Sequence, residues 1–189
     1  LMADFSKSDN IKLFIDKLKN MGLIDICVNN AGINIIKPLN EVSIEEYNRL
    51  MSVNLSAPFS IVRSIIPNMK KQNYGRIVNI ASIWSEISKS GRSLYTTSKT
   101  GLVGFTRSMA VEYASSNILV NAVSPGFTLT DLTKQSLSDD EKKLLSSQVP
   151  IGRFAEPNEI AKIVLFLCSD LNTYITGQNI TIDGGFTLV

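Results

Sequence analysis

The chain has 189 residues, a formal net charge of +2 and no histidine. That length supports one domain with a substantial core. The near-neutral balance and the lack of a basic run give nucleic acid or a membrane surface no footing, and a chain without histidine has neither a Ser-His-Asp triad nor a His-ligated zinc.

No apolar stretch reads as long enough for a membrane span, and Leu1-Met2-Ala3-Asp4 does not read as a signal peptide. Cys27 and Cys168 lie in apolar runs, as core thiols in a reducing cytoplasm do, and no metal-ligand cluster is expected.

In chain order, Ser8-Asp9 offers a helix cap. Ile11, Phe14, Ile15 and Leu18 follow at i, i+3, i+4 and i+7, with Gly22 as a stop. Leu23 to Val28 reads as a short strand running into Asn29-Asn30-Ala31-Gly32. A small, glycine-ended turn at the carboxyl end of a parallel strand is where an open α/β sheet binds its ligand, although it also fits an ordinary Asn-Gly turn.

Ser43-Ile44-Glu45-Glu46 is a capping box. The helix it opens carries Asn54 on an otherwise apolar face, and Pro58 falls inside the pattern, where it either bends the helix or frees a carbonyl. Gly75 opens an apolar run, Ile77-Val78-Asn79-Ile80-Ala81, that reads as a buried parallel strand ending at Ser82. Residues 83–93 form a polar loop around Trp84, read either as a wall of the site or as a subunit contact.

Tyr95 and Lys99, four residues apart, share one face of the next helix, with Cβ atoms about 5–6 Å apart. A free tyrosine titrates near ~10, so a neutral-pH general base needs roughly 4 kcal/mol of charge stabilisation, which a buried ammonium can supply. The Ser82 hydroxyl can hold a carbonyl oxygen while Tyr95 moves the proton. Tyr-x-x-x-Lys alone is also a common exposed helical pair. Gly101 and Gly104 weaken this helix unless something packs closely there; a close helix–helix contact is the expected reason, which suggests a subunit interface.

Ile118 to Val123 reads as a strand, followed by Pro125-Gly126 and Thr128 to Thr130 in a loop. Ser138-Asp139-Asp140-Glu141 is a second capping box. An apolar helix after Pro157, then Thr176 to Gly185 as strand and glycine turn, end the chain, with no repeats, low-complexity segments or linkers.

The set of Ser82, Tyr95-x-x-x-Lys99, Asn29-Asn30-Ala31-Gly32, Asn54 and Pro125-Gly126 resembles the short-chain dehydrogenase/reductase family over essentially the whole chain, and within it the bacterial 3-oxoacyl-carrier-protein reductases. The resemblance implies an α/β, doubly wound, parallel-sheet Rossmann-like fold in a single domain over 1–189. It implies a cytoplasmic NAD- or NADP-dependent oxidoreductase acting on a carbonyl or secondary alcohol.

By resemblance, Tyr95 is the acid/base group, Lys99 lowers its pKa and binds the nicotinamide ribose, Ser82 orients the substrate oxygen, and Asn54 supports a water relay. Asp4 is expected at the adenine, and Asn30, Ala31 and Gly32 along the cofactor cleft. Pro125, Gly126, Thr128 and Thr130 are expected around the nicotinamide, and the region after them as a movable lid. A homotetramer is expected, with acyl carrier protein as a partner.

The family's Thr-Gly-x-x-x-Gly-x-Gly phosphate loop is not found: no two glycines are separated by one residue. The domain is therefore expected to be N-terminally incomplete, without the first strands and helices, and this form to bind the nicotinamide cofactor weakly or not at all and to be inactive. The family's carrier-facing arginines match Asn73 and Ser116, both uncharged, while the loop 83–93 is rich in hydroxyls and charge. A sugar or nucleotide-sugar substrate is the alternative. A non-catalytic scaffold subunit is the alternative from another class.

Overall fold

The computed structural model describes residues 1–130, 133 and 138–189. Four parallel strands, β1 (Ile26–Asn29), β2 (Gly75–Ile80), β3 (Ile118–Pro125) and β4 (Asn179–Ile182), form one sheet in the order β1-β2-β3-β4. The helices are α1 (Ser8–Lys19), α2 (Ile44–Met51), α3 (Ala57–Gln72), α4 (Ser93–Tyr113), α5 (Asp139–Ser147) and α6 (Pro157–Cys168). This is the expected α/β Rossmann-like architecture.

Side-chain alternation on β2 divides the core. Ile77 faces one cluster with Val62, Ile65, Ile66 and Met69 of α3 and Ala110 of α4. Its neighbour Val78 faces the other, with Val123 of β3 and Ile160, Leu167 and Cys168 of α6. The central strands are buried on both faces, as parallel strands covered by helices must be. β1 pairs only with β2, and Ile26 and Val28 are half exposed along its other edge, where the run expected from Leu23 begins as strand only at Ile26.

Both serine capping boxes form as read: Ser43 with Glu46 opens α2, and Ser138 with Glu141 opens α5. The cap of α1 differs. Its N-cap is Lys7, with no side-chain bond, and Ser8 and Asp9 are already helical. Asp9 there still complements the positive end of the helix dipole.

Between α2 and α3 residues 52–56 form a π-turn, and Pro58 follows directly in α3, where it offers no amide to the carbonyls of that turn. The helical run 44–72 is thereby continuous, and it is long and apolar enough by length and composition to cross a membrane, contrary to expectation. Its apolar face is spent instead on the sheet, through the α3 residues of the first core cluster.

Gly101 has a packing reason inside the chain: a Cβ there would stand 3.2 Å from Leu55 Cδ2 in the π-turn. Gly104 meets nothing within 4 Å. The close helix contact expected at Gly101 is thus made within the chain. Asn73 ends α3 in the left-handed region at φ 52°, a place that favours asparagine over long side chains.

Gly75 starts β2 against Met69 and Ile118, where a Cβ would come 2.6 Å from Met69 Sδ and 3.1 Å from Ile118 Cγ2. Gly75→Val should lower the urea midpoint by the equivalent of about 1–3 kcal/mol through overpacking, with the m-value unchanged. An unchanged midpoint would show that this corner yields freely.

Candidate active site

The carboxyl ends of β2 and β3 and the first turns of α4 converge on one polar cluster. Ser82 is buried, two residues past the end of β2. Its Oγ accepts from the Trp84 amide at 3.3 Å, and its carbonyl accepts from the Ser85 amide and hydroxyl. This short 3-10 turn, Ile83–Ser85, turns the chain away from the sheet and leaves the serine facing α4.

On α4, Lys99 is 3% exposed, and its Nζ donates to the Ile80 carbonyl at 2.7 Å. The ammonium lies 5.6 Å from the centre of the Tyr95 ring. A Cβ on Gly32 would stand 3.4 Å from Lys99 Nζ and 3.6 Å from Asn54 Oδ1, so the small turn residue is what leaves room beside the ammonium.

Asn54, within the π-turn, clamps two segments. Its Nδ2 donates to Ile33 O at 2.9 Å and to Ser98 Oγ at 3.1 Å, while its Oδ1 accepts from the Ile33 amide at 2.9 Å. Ser98 Oγ donates in turn to Tyr95 O. The loop after β1 and the Tyr95 turn are thus held to one amide side chain.

Burial pulls the Lys99 ammonium down to about 8. Burial also raises the Tyr95 phenol, while the Ser82 hydroxyl beside it and the Arg92 charge pull it back. Burial is the largest influence on the Tyr95 phenol, and the cation opposing it is Arg92, where the spacing named Lys99.

The loop after β3 is fixed from three sides. Gly126 N donates to Ile182 O at 2.9 Å, Leu129 N to Ala155 O at 2.9 Å, and Ala155 N to Phe127 O at 2.9 Å. Thr128 Oγ1 donates to Gly126 O, and Thr130 Oγ1 lies 2.9 Å from Thr133 Oγ1. Pro125 is the last residue of β3.

Asn30 and Ala31 border an apolar groove of about 290 Å³ beside the open edge of β1, lined further by Phe5, Phe14 and Pro58. That groove does not include Ser82, Tyr95 or Lys99. Asp4 stands apart: it is exposed, and its carboxylate accepts from the Ser6 amide and hydroxyl in a turn ahead of α1.

A family model described as enoyl-(acyl carrier protein) reductase matches residues 1–187. A 3-oxoacyl-[acyl-carrier-protein] reductase of Aquifex aeolicus is 46% identical over 162 residues, covering 86% of this chain and 65% of the relative. The Escherichia coli reductase of the same name is 39% identical over 190 residues, covering 100% and 78%. The chain belongs to the short-chain dehydrogenase/reductase family.

Among solved structures, a gluconate 5-dehydrogenase from Burkholderia cenocepacia in complex with NADP and tartrate superposes with a TM-score of 0.90 at 29% identity, over 98% of this chain and 74% of that one. This oxidoreductase family therefore accounts for the fold from β1 to the last turn. The chain spans only 65% of the Aquifex relative's length.

Sequence reasoning missed the side chains that brace the short-chain dehydrogenase/reductase site. Asn29 Nδ2 donates to Asn79 Oδ1 at 2.8 Å, and Asn79 Nδ2 donates to Thr106 Oγ1 at 2.8 Å, joining β1, β2 and α4 through the core. Ser124 Oγ donates to Asn179 Oδ1, and Asn179 Nδ2 donates to Glu86 Oε1 at 2.6 Å, which ties the loop after Ser82 to β3 and β4. Polar residues inside the apolar runs of β2 and β3 were the available signal.

Lys99→Met tests the buried ammonium through stability. The folded-state pKa lies below the unfolded one, so the cost of burying the charge is fully present below about pH 8. Between about 8 and 10.5 the unfolded chain binds more protons, so stability rises with pH. Relative to Lys99→Met, the wild type should gain roughly 3 kcal/mol across that window. Parallel urea titrations check it, and a flat difference would contradict the burial of the charge.

Proposed function

We propose that this chain carries the catalytic centre of an NAD(P)-dependent carbonyl reductase and secondary-alcohol dehydrogenase. The observation that carries the reading is the buried Lys99 ammonium between Gly32 and Ile80 O, with Tyr95 one turn ahead and Ser82 across from it. Tyr95 is the acid/base group, and Ser82 holds the substrate oxygen.

Lys99 uses one of its three donors on Ile80, which leaves two for the ribose hydroxyls of the nicotinamide. The open space at Gly32 fits that group. NAD or NADP supplies the hydride chemistry when bound. Asn54 positions the Tyr95 turn and supports the water relay to Lys99. Asn30, Ala31, Gly32, Pro125, Gly126, Thr128 and Thr130 border the cofactor, with Asp4 toward the adenine end. The region around α5, which buries none of its described residues, acts as the lid.

Reduction of a 3-oxoacyl thioester on acyl carrier protein is the favoured reaction, supported by the 46% and 39% identities. Lys70, 5.9 Å over the Tyr113 ring, with Lys71 beside it, offers positive charge to the acidic carrier in place of the arginines absent at Asn73 and Ser116. A sugar-type substrate is the second reading, favoured by the polar loop after Ser82 and the gluconate dehydrogenase likeness. The complete Ser82, Asn54, Tyr95 and Lys99 set speaks against a scaffold without activity.

The single domain over 1–189 works in the cytoplasm, in keeping with the free thiols Cys27 and Cys168. It associates as a homotetramer through exposed apolar groups: Phe59 of α3, Val111 of α4, Leu165 of α6 and the closing Leu188 and Val189.

Tyr95→Phe should keep the circular dichroism spectrum and lose about 10²–10⁴ of kcat on acetoacetyl carrier protein, since no other group in reach can move the proton. Near-normal turnover would refute the assignment of Tyr95. A fall in wild-type rate with added salt would mark the carrier contact.

Light scattering at micromolar concentration should report four copies, and a monomer there would contradict the assembly.

A further inference from the structure

Arg92 is a cation that no described residue pairs with. It is the N-cap residue of α4, three positions ahead of Tyr95, and its side chain caps nothing. The guanidinium carbon lies 5.0 Å from the centre of the Trp84 ring, and Trp84 is itself 8% exposed, so the cation sits over a buried ring.

Two less exposed cations near the site have partners, while Lys89 of the same loop stands in solvent. Lys37 pairs with Glu46, and Lys99 donates to Ile80 O. Arg92 is half-buried, yet its side chain has neither ion pair nor hydrogen bond among the described residues. The carboxylate in the adjoining loop, Glu86, is taken by Asn179 at 2.6 Å, and the first turn of α4 carries no acidic residue. Burial draws the guanidinium below its ordinary value, and the Tyr95 charge acts the other way, which places the two groups within electrostatic reach.

A partly desolvated guanidinium with open donors is costly unless an anion completes it. Its planar fork matches a carboxylate with two parallel hydrogen bonds. So close to Tyr95, that carboxylate belongs a few bonds from the reacting carbon. A 3-oxoacyl thioester is neutral there.

We propose that Arg92, set over Trp84 beside Tyr95, is a carboxylate-binding subsite through which this centre also takes small hydroxy acids and oxo acids. The inference rests on Tyr95 as the acid/base group. In oxidation of the hydroxy acid, its carbinol C–H leaves as hydride to NAD(P)+ and its O–H proton passes to the Tyr95 phenolate. Two electrons leave the alcohol, a ketone forms and the nicotinamide is reduced.

Trp84 is the sole tryptophan, so it reports on its own neighbour. The experiment is a titration of the intact chain with D-gluconate, with neutral D-glucitol and with inorganic phosphate, followed by tryptophan emission. Gluconate should give a saturable change that glucitol and phosphate do not. Arg92→Gln should weaken it at least about tenfold, and Arg92→Lys, a charge without the fork, should fall between.

An equal response to glucitol, or unchanged binding in Arg92→Gln, overturns the subsite. Phosphate binding as tightly as gluconate also overturns it, in favour of a remote phosphate on a carrier arm. The emission change needs no turnover and should persist in Tyr95→Phe, so failure of the subsite and failure of the Tyr95 assignment are read separately.

Discussion

Everything at this centre depends on a bond between a helix side chain and a strand end. Lys99 reaches from the second turn of α4 to the carbonyl of Ile80, the last residue of β2, at 2.7 Å. An ammonium this buried is expensive, and burial alone takes it to about 8. Its position forces three others. β2 must stop at Ile80 with a free carbonyl. Gly32 keeps the space beside the ammonium open, where a Cβ would come into contact with it at 3.4 Å. Tyr95, one turn earlier, must lie along the lysine stem.

The same register is enforced farther along that face of α4 by polar groups within the core. Thr106, two turns beyond Lys99, accepts from Asn79, which accepts from Asn29. Asn54 fixes the Tyr95 turn through Ser98. A buried network of this kind is stable only when each donor and acceptor is met, so it selects one alignment of helix against sheet. Hydrophobic contacts between α3, α4 and β2 would tolerate a slide that these bonds do not.

This division explains what could be read from the chain. Ser43 and Ser138 announce their helices through local rules, and both capping boxes form. The β2 run and the Tyr95–Lys99 spacing are likewise local patterns. The π-turn at 52–56 is not local: it places Asn54 and Leu55 against α4, and tertiary contact decides it over Pro58. The direction of the Tyr95 shift was also illegible, because spacing names the nearby charge and says nothing of the burial opposing it. Asn73 is settled by backbone: the left-handed end of α3 suits it better than a long cation.

The last turn of the chain is part of the site although no reacting group lies in it. A Cβ on Gly126 would fall 2.8 Å from the Cα and Cβ of Asp183, so the loop after β3 presses directly on the turn after β4. Asp183 holds that turn by accepting from the amides of Gly185 and Thr187 and from the Thr187 hydroxyl. Phe127 then stacks on Phe154 at 5.3 Å and meets Phe186 edge-on at 5.0 Å. Three aromatic rings from separate segments thus meet beneath Thr128 and Thr130. Such contacts are worth about 0.5–1.5 kcal/mol per pair beyond their buried area, enough to bias a loop between positions without deciding the fold. The placement of the loop expected at the nicotinamide is therefore set as much by residues 183–187 as by the strand that leads into it.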